Sequence, residues 1–287
     1  MGYSFAQSPS TEKTMKVTPE SIWRAPAYLP YLQPKITPQL IRAAEQEIGF
    51  DLPKEYLALL DVQNGGYIRY SLENSVHELI SGIGPHFPSI TGFDWTGAKE
   101  FVSFSLDGLV PFDGDGHWYI CLDYRKNAKD PSVSNVDIEV DSESMIANSF
   151  KEYLRLLKPV VSENEFVITS TADIELVKER LAKSLRAKIE ETDTYAHGYP
   201  IHRLSVGRFG DPEWVSISSN VVPCGFVRED DTRYAELRDL MAGEAKRYPE
   251  LPEVCCLLSA TDAIRSKVQN ALSEASIVAK PLIEFLK

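Results

Sequence analysis

The chain has 287 residues, 43% of them hydrophobic and 25% charged, with a formal net charge of -12. That composition excludes wholesale disorder and is long enough for one large core or two smaller ones. The negative charge argues against direct nucleic-acid binding, and without a run of about 18 apolar residues no membrane span is expected.

Residues 1–20 are polar and rich in Ser and Thr, and are expected to form a loose arm. Their opening, "MGYSFAQSPSTEKTMKV", lacks an apolar h-region, so a cytoplasmic protein is expected. "SIWRAPAYLPYLQP" combines aromatics with prolines, which predicts an irregular segment pinned by Trp23, Tyr28 and Tyr31. A helix follows, with Thr37 as N-cap, Pro38 at the first position and Leu40, Ile41, Ala44 and Ile48 on one face. Gly49 supplies its left-handed end. "DLP" restarts the chain into "KEYLALLDVQ", whose buried stripe is Tyr56, Leu57 and Leu60, and Asn64-Gly65-Gly66 stops it.

"YIRYSL" alternates as a strand, and "SGIGPHFPSITGFDWTGAKE" reads as loop. "FVSFSL", "LVPF", "HWYICLDYR" and "NVDIEV" read as strands, and "SMIANSFKEYLRLL" as an amphipathic helix closed by Pro159. Beyond it come a strand "EFVITST", a helix "ADIELVKERLAKSLRAKI", strands "IHRLSVG" and "EWVSISSNVV", a helix "RYAELRDLMAGEAKRY", a strand "EVCCLLSA" and a helix "TDAIRSKVQNALSEA". A β-α-β-β-α-β order of this kind is what a ferredoxin-like plait would show. The expected organisation is an arm over 1–20, a first domain over 21–158 and a second α+β domain over 160–287.

The chemistry-bearing residues form no catalytic motif. "DGDGHWYICLD" (113–123) offers Asp113 and Asp115 as metal ligands. An EF-hand loop needs more oxygen ligands and a distal glutamate, and Asp-Gly between two strand patterns is a strong hairpin signal. His77-Glu78 lacks the second histidine of a zincin helix, and neither a P-loop nor a GxSxG elbow occurs. Cys224 with His202 would be a thiol–imidazole pair only if the fold joined them. Cys121, Cys224, Cys255 and Cys256 are too sparse for a disulfide framework and read as small core residues. No metal and no cofactor are expected.

Four blocks occur in order: "IWRAP", "IRAAEQEIGFDLPKEYLALLDVQNGG", "LVPFDGDGHWYICLD" and "NSFKEYLRLL". Trp23, Glu45, a G-x-x-LP-x-x-Y link (Gly49, Leu52, Pro53, Tyr56), Asn64, Gly65 and Gly66 make up the first part of the pattern. Pro111, Phe112, Asp113, Gly116, Tyr119, Asp123, Ser149 and Phe150 make up the rest. Over residues 21–157 this resembles the SUKH superfamily of Smi/Knr-type cell-wall-synthesis regulators and bacterial toxin-immunity proteins. The resemblance implies an α+β fold with a mostly antiparallel sheet, no cofactor and a protein partner.

The physical roles of these residues are caps, turns and anchors. Glu45, late in its helix, gains nothing from the dipole and is expected to pair elsewhere. The resemblance and the acidity together point to a non-catalytic immunity protein whose partner is a basic toxin domain. Loop residues Phe93, Asp94, Trp95, Asp113, Asp115, His117 and Trp118 are its candidate contacts, with Trp95 and Trp118 equally suited to the core. A regulatory adaptor, or an enzyme hosted by the C-terminal domain, is the alternative.

Overall fold

A computed structural model describes residues 17–73, 75–207 and 210–286, so the expected N-terminal arm lies outside the described residues as far as residue 16. Strand β1 (Ala27–Tyr28) interrupts the Pro- and Tyr-rich segment. Helix α1 (Pro38–Ile48) starts where Thr37 Oγ1 accepts the Leu40 N–H at 3.1 Å and ends at Gly49, whose φ of 82° is left-handed. Glu45 Oε1 accepts the Leu52 N–H at 3.0 Å, so this carboxylate ties the helix to the link that follows. Helix α2 (Lys54–Val62) buries Tyr56, Leu59 and Leu60.

The Asn64–Gly66 stop has a second task. Asn64 Oδ1 accepts from Ile83 N, and its amide donates to the Pro34 and Ile83 carbonyls, tying three segments together. A Cβ on Gly65 (φ 90°) would stand 2.7 Å from the Gly82 nitrogen, so only glycine allows this approach.

Short strands β2 (Gly66–Tyr67), β3 (Tyr70–Ser71) and β4 (Leu79–Ile80) lead to a four-stranded antiparallel meander. Its strands are β5 (Leu109–Gly114), β6 (Trp118–Asp123), β7 (Ser132–Asp137) and β8 (Ser142–Ala147). Helix α3 (Phe150–Leu156) begins at Ser149, whose hydroxyl accepts the Glu152 N–H. Strand β9 (Lys158–Pro159) then returns to pair with β3. Two expectations are corrected. Residues 101–106 are irregular, and the helix expected from Ser144 is strand β8 up to Ala147, because its pairing to β7 satisfies that backbone.

One face of the meander (Val110, Phe112, Ile120, Leu122, Val133) packs with Tyr56, Phe150 and Tyr153 of the helices. The other face carries a smaller cluster of Leu109, Cys121 and Val136 under Trp95, Ala98 and Leu106.

The second half contains β10 (Glu165–Ile168), α4 (Ile174–Leu185), β11 (Lys188–Ile189), β12 (Ile201–Val206), β13 (Glu213–Ser219), β14 (Val221–Pro223) and β15 (Gly225–Phe226). There follow α5 (Tyr234–Leu237), β16 (Glu244–Lys246), β17 (Cys256–Ala260), α6 (Arg265–Glu274) and β18 (Ala279–Pro281). Six of the strands form one sheet in the order β11-β12-β13-β17-β10-β18, every neighbour antiparallel. Helices α4 and α6 cover one face through an aliphatic core of Val, Leu and Ile.

The β-α-β-β-α-β order expected here is not what forms. The helix expected over 233–248 is a single α turn and a 3-10 turn, since Leu237 is buried while Leu240 points out and no apolar stripe continues. Gly243, at φ 97°, then turns the chain into β16, which pairs with β14. The long elements therefore run β-α-β-β-β-α-β.

The two halves are clasped by the segment that the sequence marks as irregular. Strand β1 pairs in parallel with β15, Ala27 opposite Gly225. Tyr28 donates to Asp231 at 3.1 Å, and Leu29 packs with Val227 and Leu237. A second tie is buried Arg69, which donates to Glu250 Oε2 at 3.0 Å and to the Ser21 carbonyl at 2.6 Å. Burial raises the Glu250 carboxyl, and the guanidinium more than reverses this, leaving it below its ordinary value.

Candidate partner-binding surface

The residues expected to touch a partner lie in two neighbouring segments: the loop over 92–107 and the β5–β6 hairpin. Trp95 anchors the loop. It is 8% exposed, and its indole N–H donates to the Leu109 carbonyl at 3.0 Å. Phe93 and Tyr119 meet it edge-on, with ring centroids 4.7 and 4.9 Å away. Phe93 itself is 39% exposed, and Phe101 further along is 67% exposed. Asp94 is exposed and accepts from the Thr96 N–H and hydroxyl, which hold its carboxyl below the usual value.

The hairpin turn comprises Asp115, Gly116 and His117. Asp115 Oδ1 accepts the N–H groups of His117 (2.9 Å) and Trp118 (3.2 Å). Slight desolvation raises the Asp115 carboxyl, but these N–H groups outweigh it and leave the group below its ordinary value. His117 projects outward with Nδ1 2.7 Å from Glu139 at the adjacent β7–β8 tip. Glu139, Asp141 and Glu143 are exposed there, and Glu143 reaches Arg125 at 2.7 Å.

The structure buries two of the expected contacts and half-buries a third. Trp95 is the loop's core anchor. Trp118 is half-buried and packs against the main core. Asp113 is buried because strand pairing shifts between Pro111 and Asp113, leaving Phe112 as an extra residue. The bulge puts both Phe112 and Asp113 on the core side. There Asp113 Oδ2 lies 2.5 Å from His77 Nδ1, and His77 Nε2 hydrogen-bonds the Tyr153 hydroxyl. This Asp–His–Tyr chain is sealed from solvent. Burial first, then the Asp113 and Tyr56 charges, push the Tyr153 hydroxyl well above its ordinary value.

The remaining pattern residues hold the fold. Asp123 takes a bidentate Arg125 at 2.9 and 2.7 Å and the Ser134 hydroxyl at 2.9 Å. Burial raises that carboxyl, and these donors more than compensate, holding it below its usual range. In the sequence His77 offers only an incomplete zincin start, which gives no sign of its buried role. Only the bulge, a three-dimensional feature, joins it to Asp113. Arg69 carries no sequence signal either.

Among the described residues, no three His, Cys, Asp or Glu side chains converge as a metal site. His202 faces α4, with Glu175 3.6 Å from its Nδ1. Cys224 is at the β14–β15 junction, where its carbonyl accepts from Ala27. They are held by separate elements and form no hydrogen-bonded pair. Burial pushes the Cys256 thiol up to about 12 and that of Cys121 well above its usual value, which suits packing rather than reactivity.

An antiparallel meander flanked by helices makes this half an α+β domain. Residues 35–156 match the SMI1 / KNR4 family (SUKH-1). This part of the chain belongs to the SUKH superfamily, a family of generally non-catalytic domains with immunity or regulatory roles and protein partners. No curated protein and no solved structure matches the chain significantly. No helix among the described residues is long and apolar enough to cross a membrane.

Proposed function

We propose that this chain is a cytoplasmic immunity protein, a non-catalytic module that neutralises a cognate toxin by binding its basic domain. The supporting observation is that Asp94, Asp115, Glu139, Asp141 and Glu143, with Phe93 and Phe101, are exposed on the 92–107 loop, the two hairpin tips and the start of β8. Fixed acidic side chains speed encounter with a basic surface, and the two phenylalanines provide apolar area to desolvate once docked. The net charge of -12 acts in the same direction at long range.

Co-expression with each toxin candidate encoded by a neighbouring gene tests the reading. The wild type restores growth, and pull-down recovers a one-to-one complex. Reversing charge with Asp94→Lys and Asp115→Lys together slows association about tenfold at low salt, an effect that fades at high salt. Growth arrest that the wild type does not relieve, with no complex recovered, would defeat the proposal.

A further inference from the structure

On the sheet face opposite α4 and α6, Val167 and Leu257 are buried under Leu251 and Leu282, and beside them a polar strip is left uncovered. Arg203, Ser216, Ser259 and Glu165 form one cross-strand row through β12, β13, β17 and β10. They line a cavity of about 250 Å³ together with Arg24, His197, Tyr199 and Arg247. A second cavity of about 250 Å³ shares Arg24, His197 and Tyr199 with the first. Its other walls are mostly aromatic, with Arg228 beside them: Tyr28 lies 5.0 Å from Tyr31 and 5.1 Å from Phe226, and Tyr31 lies 5.1 Å from Tyr67. One chamber is thus cationic and hydroxyl-lined, the adjoining one is walled by rings, and both sit between the two halves of the chain.

The arginines are arranged in an unusual way for so acidic a protein. Arg24, Arg228 and Arg247 make no ion pair among the described residues. Each instead lies over a tyrosine: Arg24 on Tyr67 at 5.8 Å, Arg228 on Tyr28 at 5.4 Å and Arg247 on Tyr199 at 4.8 Å. A cation–π contact uses the charge without taking up the N–H donors, so these guanidinium groups keep N–H groups for an oxyanion. Arg247 is further aligned by donating to Ser218 at 2.8 Å, while Arg203 is neutralised by Asp193 at 2.8 Å. Glu165 is the one carboxylate on the wall, and it accepts the Ser162 N–H at 2.7 Å. His197 stands where the chambers meet. Burial, then Arg24, lower its pKa, and Arg247 and Arg203 add to this against Asp193.

We propose that this cleft binds a small phosphate ester bearing a planar ring, of mononucleotide size, with the ring in the tyrosine chamber and the phosphate against Arg24 and Arg247. The two chambers together match such a ligand in size and in polarity. A simple inorganic anion would leave the ring chamber unused, and an uncharged ring would leave the arginines unpaired. The proposal does not depend on the identity of any protein partner.

Isothermal titration of the full chain with AMP, GMP, adenosine and inorganic phosphate provides the test. At least one of the two nucleotides should bind at a single site, with adenosine and phosphate each at least about tenfold weaker. Arg24→Gln and Arg247→Gln should each weaken that nucleotide about tenfold or more, the loss expected for a charged hydrogen bond. His117→Ala, remote on the hairpin tip, should leave it unchanged. Arg24 is exposed, so its variant should fold even if Arg247→Gln does not, and thermal midpoints establish this. No binding of either nucleotide up to about 5 mM, near −3 kcal/mol, would overturn the proposal, as would binding that both arginine variants leave intact. Adenosine binding as tightly as the nucleotide would also overturn it.

Discussion

The two halves of this chain bury their cores by different means. The SUKH half packs aromatic rings and seals polar groups among them: Tyr56, Phe112, Phe150 and Tyr153 surround the His77–Asp113 contact. The second half clamps a mainly aliphatic sheet face under α4 and α6, with Phe166 the one aromatic side chain among the cluster's buried residues. Directional contacts demand particular residues at particular places, whereas aliphatic packing accepts any side chain of suitable volume. The first half therefore carries a family pattern, and the second offers periodicity alone.

The largest test of this contrast is Phe112→Ala. Its ring is fully buried at the bulge and meets Tyr56, His77, Phe150 and Tyr153. Truncation should destabilise by about 3–5 kcal/mol in urea unfolding. Next in size is His77→Leu, which leaves the Asp113 carboxylate and Tyr153 hydroxyl without their partner. A loss of about 1–3 kcal/mol is expected. The matched change in the other half is Leu258→Ile, which conserves volume and should stay below about 1.5 kcal/mol. Equal losses for the two would erase the distinction between the cores.

The contact between the halves adds a pH dependence. Glu250, tied to Arg69, and Asp123, tied to Arg125, both have folded-state values below their ordinary ones. A depressed carboxylate stabilises the fold above its unfolded value, about 4 for these groups, and that contribution is lost as pH falls through the folded value. Stability should hold from neutral pH down to about 5 and decline below about 4. In Glu250→Gln the decline should be shallower and the neutral-pH stability lower. An unchanged acid limb would remove Arg69–Glu250 from the ties that matter.

Legibility in the sequence follows the same physical division. Thr37, Gly49 and Ser149 act through neighbours a few residues away, so each could be read directly, whereas the contacts of Asn64 with Pro34 and Ile83 could not. Glu45 was expected to pair elsewhere, and it caps Leu52, only seven residues on. Asp113 was misread because one unpaired residue, Phe112, reverses which side it faces, and a bulge has no signature in a run such as "LVPFDG". "SMIA" (144–147) lacks the alternation of a strand, and only pairing to β7 makes this part of β8 extended. The β1–β15 clasp joins two-residue strands from opposite ends of the chain, too short for any period to show. Of the expected contacts, Phe93, Asp94, Asp115 and His117 are exposed, whereas Trp95 and Asp113 are spent on the core.

The smallest expected effect compares the halves where they should behave alike. Ser149 caps α3 through Glu152 N at 3.2 Å, and Asp173 caps α4 through Leu176 N at 3.0 Å. Both replace water at an N–H that the helix cannot satisfy, a local interaction indifferent to the type of core beneath. Ser149→Ala and Asp173→Ala should therefore each lose about 1 kcal/mol in the same unfolding measurement. The carboxylate at Asp173 also meets the positive end of its helix, so its loss should be the larger by a few tenths. A Ser149→Ala loss several times greater would mean that the cap is coupled to Phe150 and the aromatic core. The contrast between the halves would then extend from their interiors to their helix ends.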